Sequence, residues 1–237
     1  MVMGESGAVL VVQHTPSGGP RRVGTWLSEA GLAVRVVRAY AGEALPATLG
    51  GRPLLVLGGG YLPDDDARAP WLPATRRLVA QALDDGSPVL GICLGGQLLA
   101  QVAGGAVEAE HGTPEYGSTP VRLRPEAAAD PLLHGLGPMV PAIERHVDAI
   151  TELPPGATWL ASSETCPYQA FRVGERAWGV QFHPEVDAAR IAAWDRDQLA
   201  ARGVDRDRLH ARAVADEGAA VAAWSEFTAR FAAVCRS

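Results

Sequence analysis

One stretch constrains the fold more than any other. Pro88 to Ile92 (PVLGI) is an unbroken apolar run that passes directly into Cys93, then into Gly95-Gly96 and a helical pattern from Gln97 to Val102. A short apolar run without polar alternation reads as a strand buried on both faces, the condition of a strand inside a parallel sheet. Similar runs precede it. Ala8 to Gln13 and Ala33 to Tyr40 read as strands one and two, and Pro53 to Leu57 as strand three, with helical patterns at Arg21 to Ala30 and Trp71 to Leu83 between them. The alternation predicts βα units and an α/β fold built on an open, doubly wound, mostly parallel sheet.

From about Ala106 the pattern changes. Thr119 to Leu123, Thr158 to Ser162, Tyr168 to Val173 and Ala177 to Phe182 read as strands joined by turns, a small β-rich extension on the α/β core. Helices are expected at about 187–201 and 207–235. In the last of these, Val214, Val221, Trp224, Phe227, Phe231 and Val234 recur at helical spacing and predict a packing face. With no repeat and no dividing linker, the chain is expected to form a single domain over 1–237, its core at about 8–195 and a helical extension at about 196–237.

Composition narrows the chemistry. All 21 basic residues are arginine and lysine is absent, so this chain offers no amine for a Walker loop, a Schiff base or a kinase-type phosphate contact. A net charge of −6, with the arginines dispersed among acids, disfavours nucleic acid as a partner. The most apolar stretch, Gly86 to Val107, is broken by Gln97, Gln101 and glycines, so no membrane span is expected. Cys93, Cys166 and Cys235 form no C-x-x-C pair and are odd in number, which argues for a reducing, cytoplasmic location.

Three segments carry possible chemistry. In Gly91-Ile92-Cys93-Leu94-Gly95-Gly96-Gln97, the cysteine sits on a strand-to-helix turn with glycines two before and two after it. That is the pattern of a nucleophile elbow, with the helix N-terminus favouring thiolate, or of a buried cysteine in a glycine-rich turn. Gln181-Phe182-His183-Pro184-Glu185 places a carboxylate two residues from a histidine, either to orient a general base or simply as a strand-end histidine beside a surface glutamate. Gly58-Gly59-Gly60 follows strand three. It is a turn, a phosphate loop or the source of one oxyanion-binding N–H, paired with that of Leu94. The phosphate reading is weakened by the continuation into Tyr61 and Asp64 to Asp66 without G-K-[ST]. In a parallel sheet all three segments fall at the C-terminal edge, where ligands bind.

Together these segments resemble the class I (triad) glutamine amidotransferases, which have a flavodoxin-like sheet. The likeness also takes in Glu115-Tyr116-Gly117, His146-x-Asp148 and Gln169-Ala170-Phe171-Arg172 before Ala177-Trp178-Gly179, and covers roughly residues 8 to 195. The nearest comparison is with stand-alone, GMP-synthase-like amidotransferase domains. The resemblance implies Cys93 as nucleophile, His183 as general base and then acid, and Glu185 as its orienting carboxylate. It implies an oxyanion hole from the N–H groups of Gly59 and Leu94, and substrate contacts from Gln97 and Gly60. Relatives often place a proline where this chain has Gly60 and an aromatic residue where it has Arg145, both on the substrate-pocket rim. The implied reaction hydrolyses L-glutamine to glutamate and ammonia without a cofactor or metal. The forty or so residues beyond the resemblance are too few for an acceptor-activating domain, so the ammonia acceptor is expected to be a separate synthase or ligase polypeptide. The other classes considered are a related thiol hydrolase of γ-glutamyl or other amide and ester bonds, and a catalytically silent regulatory protein.

The remaining candidates are assigned structural roles. His14 is expected to hydrogen-bond at a strand end; His111, His134 and His210 are expected at the surface; His146 and Asp148 lack a third metal ligand in sequence; Cys166 and Cys235 are expected to be inert thiols; and Asp64 to Asp66 is expected to form a solvated loop.

Overall fold

The computed structural model describes residues 7–237. The first half follows the expected order: β1 (Val9–Gln13), α1 (Arg21–Glu29), β2 (Val34–Arg38), β3 (Leu54–Val56), α2 (Leu72–Asp85), β4 (Val89–Ile92) and α3 (Leu94–Val102). The second half contains β5 (Ala106–Glu108), β6 (Glu115–Leu123), β7 (Met139–His146), β8 (Ala149–Glu152), β9 (Thr158–Ser162), β10 (Ala170–Val173) and β11 (Ala177–Val180). It closes with α4 (Ala188–Ala192), α5 (Arg196–Ala200) and α6 (Arg206–Arg236).

Nine strands form one sheet in the order β2-β1-β3-β4-β11-β10-β9-β6-β7, and β5 pairs with β8 beside it. The five strands from β2 to β11 run parallel, while β10, β9, β6 and β7 continue the same sheet antiparallel. The β-rich extension is therefore an edge of the main sheet and not a second layer. Its hydrogen bonds start from β11, whose other edge is taken by β4.

Alternation along the parallel strands fills two cores. Val9 and Val11 of β1 face Trp224, Phe227 and Phe231 of α6 and Val23 and Leu27 of α1. Leu10 and Val12 face the opposite side, with Leu78 and Val79 of α2 and Leu98 and Leu99 of α3. Both faces are dry, which is why these strands read as continuous apolar runs. The packing face expected on the last helix is half correct. Trp224, Phe227 and Phe231 are buried, whereas Val214 and Val221 are exposed because they lie on the flank of the buried stripe. Trp224 also donates its indole N–H to the Pro141 carbonyl at 2.9 Å, tying α6 to β7. A third, smaller core joins Ile143 of β7 to Ile191 of α4, Trp194, Leu199 of α5 and Ala213. Among the described residues, no helix is long and apolar enough to cross a membrane.

Candidate active site

The strands β3, β4 and β11 are neighbours in the sheet, and the three glycine, cysteine and histidine segments leave their C-terminal ends side by side. Cys93 bridges β4 and α3 at φ 52°, ψ −111°, a conformation that costs a non-glycine residue energy and is retained only when its surroundings enforce it. The enforcement is visible. The Cys93 N–H donates to the Val180 carbonyl at 2.7 Å, and its own carbonyl accepts from the Gln97 N–H at 2.9 Å. The bracketing glycines are required by contact: a Cβ on Gly95 would overlap the Val56 carbonyl of β3, and one on Gly91 would overlap the Gly95 carbonyl. A Cβ on Gly96 would lie 2.7 Å from the Val180 carbonyl oxygen.

His183 follows β11, its backbone N–H donating to the Ile143 carbonyl at 2.8 Å. Its imidazole hydrogen-bonds the Cys93 thiol on one side, and its Nδ1 meets Glu185 Oε1 at 2.8 Å on the other. Pro184 turns the chain back to allow this, and Arg22 fixes the turn by donating Nε–H to the Pro184 carbonyl at 2.7 Å while pairing with Glu217. Burial opposes an imidazolium here, but the Glu185 carboxylate and the Cys93 sulfur outweigh it and hold the His183 pKa well above the usual histidine value.

The sign of that coupling sets a prediction. A raised folded pKa contributes stability that is fully present below about pH 6.5 and is lost as pH rises through the folded value. Glu185→Gln should therefore lower the His183 titration, followed by NMR, by about one pH unit or more, and its stability deficit relative to the parent should shrink at alkaline pH. An unmoved titration would show that Glu185 does not hold the imidazolium.

The glycine loop closes over this pair. A Cβ on Gly58 would lie 2.9 Å from His183 Cε1 and 3.4 Å from Cys93 Cβ, and one on Gly59 would lie 2.9 Å from Leu94 Cδ2. Gly60 has open space around it. Gly58, Gly59, Gly60, Cys93, His183 and Glu185 line a cavity of about 340 Å³, with Arg145, Arg190 and Trp194 also in its walls. As the first residue of α3, Leu94 has an N–H without an intrahelical acceptor.

Gln97 departs from expectation. It is 2% exposed and does not line the cavity; its Nε2 donates to the Asp148 carbonyl at 3.2 Å and to Gln181 Oε1 at 3.1 Å. Gln181 in turn points its amide at Cys93 Sγ, 3.6 Å away. Gln97 thus supports the sulfur through Gln181, because this face of α3 is turned into the protein against β11. Gln181 is the neighbour of the sulfur that sequence reasoning missed, although it stands within the same segment as His183. Arg190 and Trp194 were also missed, since nothing in a short helical stretch marks which residues turn toward a cavity.

His14 behaves as expected of a strand-end residue: it accepts from the Trp71 indole N–H at 2.9 Å, and burial lowers its pKa to about 4. Burial likewise pushes the Cys166 and Cys235 thiols up to about 12, in keeping with inert roles. Glu115, His146 and Cys166 present donor atoms within 4.8 Å of one another. Glu115 is already satisfied by His146, Gln169, Ser163 and Thr165, and these hydrogen bonds overcome burial to hold its carboxyl below the usual range. The donor set is closed on itself, which is a poor fit to a metal centre. Glu144, fully buried beside it, is pushed well above the usual carboxyl range by desolvation and by Glu115, and is neutral.

Thiol, imidazole and carboxylate in sequence, at the carboxyl edge of a parallel sheet, define the class of cysteine-dependent acyl-transfer sites built on α/β folds. Comparison with known proteins narrows this. The family model "Glutamine amidotransferase class-I" matches residues 22–192. The GMP synthase [glutamine-hydrolyzing] of Porphyromonas gingivalis is 40% identical over 149 residues, which are 62% of this chain and 28% of that protein. One of the separately encoded glutamine-hydrolysing GMP synthase subunits, from Sulfolobus acidocaldarius, is 47% identical over 100 residues, 42% of this chain and 51% of that one. The matched region thus spans less than two thirds of the length of either relative. Among solved structures, a glutamine amidotransferase from Thermotoga maritima superposes with a TM-score of 0.83 at 25% identity, covering 95% of this chain and 97% of that one. One from Methylobacillus flagellatus gives 0.80 at 27% identity, covering 95% and 92%. The chain belongs to the class I glutamine amidotransferase family.

Proposed function

We propose that the chain hydrolyses the side-chain amide of L-glutamine, giving glutamate and ammonia, and that the ammonia is consumed by a synthase or ligase carried on a separate polypeptide. The observation that carries the proposal is the continuous Cys93–His183–Glu185 hydrogen-bonded chain opening into a cavity. His183 accepts the thiol proton as Cys93 Sγ attacks the amide carbon. The N–H groups of Gly59 and Leu94 receive the oxyanion, each worth on the order of 3 kcal/mol to the transition state. His183 then returns the proton to the departing ammonia, leaving a γ-glutamyl thioester. Water, activated by the same imidazole, releases glutamate. Gly60 borders the substrate, and Gln97 acts on it indirectly through Gln181.

The reading takes 1–237 as one amidotransferase domain, with α6 as part of its packing: Trp224, Phe227 and Phe231 belong to the same core as β1 and β4. Three unpaired cysteines suit a reducing compartment such as the cytoplasm. A separate acceptor accords with the relatives that are named as single subunits of a glutamine-hydrolysing GMP synthase. The test is a direct assay. Purified protein, alone and with candidate partner extracts, should release glutamate from glutamine. Hydrolysis of γ-glutamyl peptides, with none of glutamine under either condition, would overturn the proposal.

A further inference from the structure

The mouth of the catalytic cavity holds two guanidinium groups. Arg145 stands near the end of β7 and Arg190 on α4, and both line the same cavity as Cys93. Neither has an ion-pair partner among the described residues. Arg145 lies over the Trp194 ring with Cζ 5.0 Å from its centroid and makes one long contact, 3.5 Å, to Gln198 Oε1. The Arg190 side chain makes no hydrogen bond among the described residues; only its backbone N–H is engaged, by the Asp187 cap of α4 at 2.9 Å. Packing and then the nearby Arg190 charge both lower the Arg145 pKa, and Tyr116 and Asp195 do not cancel this. The one carboxylate lining the cavity, Glu185, is committed to His183.

Two like charges brought together without a counterion cost free energy, and a bound anion returns it. Guanidinium groups favour planar carboxylates, which they meet through paired N–H donors, and stacking on an indole fixes the plane of one of them. Trp194, 4% exposed and anchored in the core shared by α4, α5 and α6, makes a rigid platform for that stacking. An amide substrate that carries a carboxylate would thus be gripped at the mouth while its amide reaches Cys93.

We propose that Arg145 and Arg190 form a carboxylate-binding subsite that selects amide substrates by their remote carboxylate, the α-carboxylate in the case of glutamine. This rests on the glutaminase reading above and adds specificity residues to it. The subsite takes the place of the aromatic residue that relatives often carry at the position of Arg145.

Two reagents separate the subsite from the nucleophile. Cys93 is labelled with a diazo-ketone glutamine analogue, which has the carboxylate, and in parallel with iodoacetamide, which is small and neutral. Arg145→Met and Arg190→Met should each slow labelling by the analogue about tenfold, the loss of one charge-assisted contact, while iodoacetamide labelling stays within about twofold. Equal slowing with both reagents would place the arginines' effect on the thiol and overturn the subsite, as would no change with either. If the parent protein reacts at Cys93 with iodoacetamide but never with the analogue, it is the glutaminase reading that fails.

Discussion

Replacing Cys93 with serine should abolish the reaction: glutamine hydrolysis is expected to fall by roughly four to six orders of magnitude, leaving only what binding and the oxyanion donors supply. A serine hydroxyl fits the same space, and the Cys93 backbone contacts to Val180 and Gln97 do not involve the side chain, so the fold should be unaffected. What is lost is acidity. His183 is held as a strong base by Glu185 and is matched to a thiol, whose proton it removes at neutral pH; a hydroxyl gives up its proton far less readily. Steady-state glutamate release with unchanged circular dichroism is the measurement. Activity within about tenfold of the parent would remove Cys93 from the mechanism.

The second large effect lies in the fold. Gly95→Ala adds one methyl group, yet its Cβ would overlap the carbonyl of Val56 and lie 3.0 Å from the Val56 Cβ. These atoms belong to β3 in the centre of the sheet, so neither a rotamer change nor a small shift relieves the contact. Helix α3 would have to lift from β3 and β4, carrying Cys93 with it. A loss of about 4 kcal/mol or more is expected, at the extreme of single substitutions. Gly60→Ala is the matched control, because nothing lies within 4 Å of a Cβ there. Its denaturation midpoint should stay near that of the parent. If Gly95→Ala unfolds with the control, the close approach of α3 to β3 is not what makes glycine necessary.

The sequence made the parallel half legible because its strands are dry on both faces. Val9 to Val12, Leu54 to Val56 and Val89 to Ile92 are fully buried, and buried parallel strands announce themselves as apolar runs. The triad was legible for a related reason: β3, β4 and β11 each end in a motif, and parallel pairing places those ends together. The strand β7 was not legible. Met139–His146 contains Pro141 and ends on Glu144, Arg145 and His146, and that polar ending hides a strand whose last residues enter the site region and a buried charge network. Gln97 was misplaced because one helical turn from Cys93 puts a residue on the same side of α3, but does not say whether that side faces cavity or protein. Arg190 carried no sequence signal at all, since its role depends on α4 folding back over β7 through Ile143 and Ile191.

The central claim is that Cys93, among three cysteines, is the thiol that attacks glutamine. Incubation with a diazo-ketone glutamine analogue, followed by peptide mass spectrometry, tests it directly. The account predicts one adduct, on the peptide carrying Cys93, with Cys166 and Cys235 unmodified because burial raises both thiols to about 12. An adduct on Cys166 or Cys235, with Cys93 untouched, would contradict it.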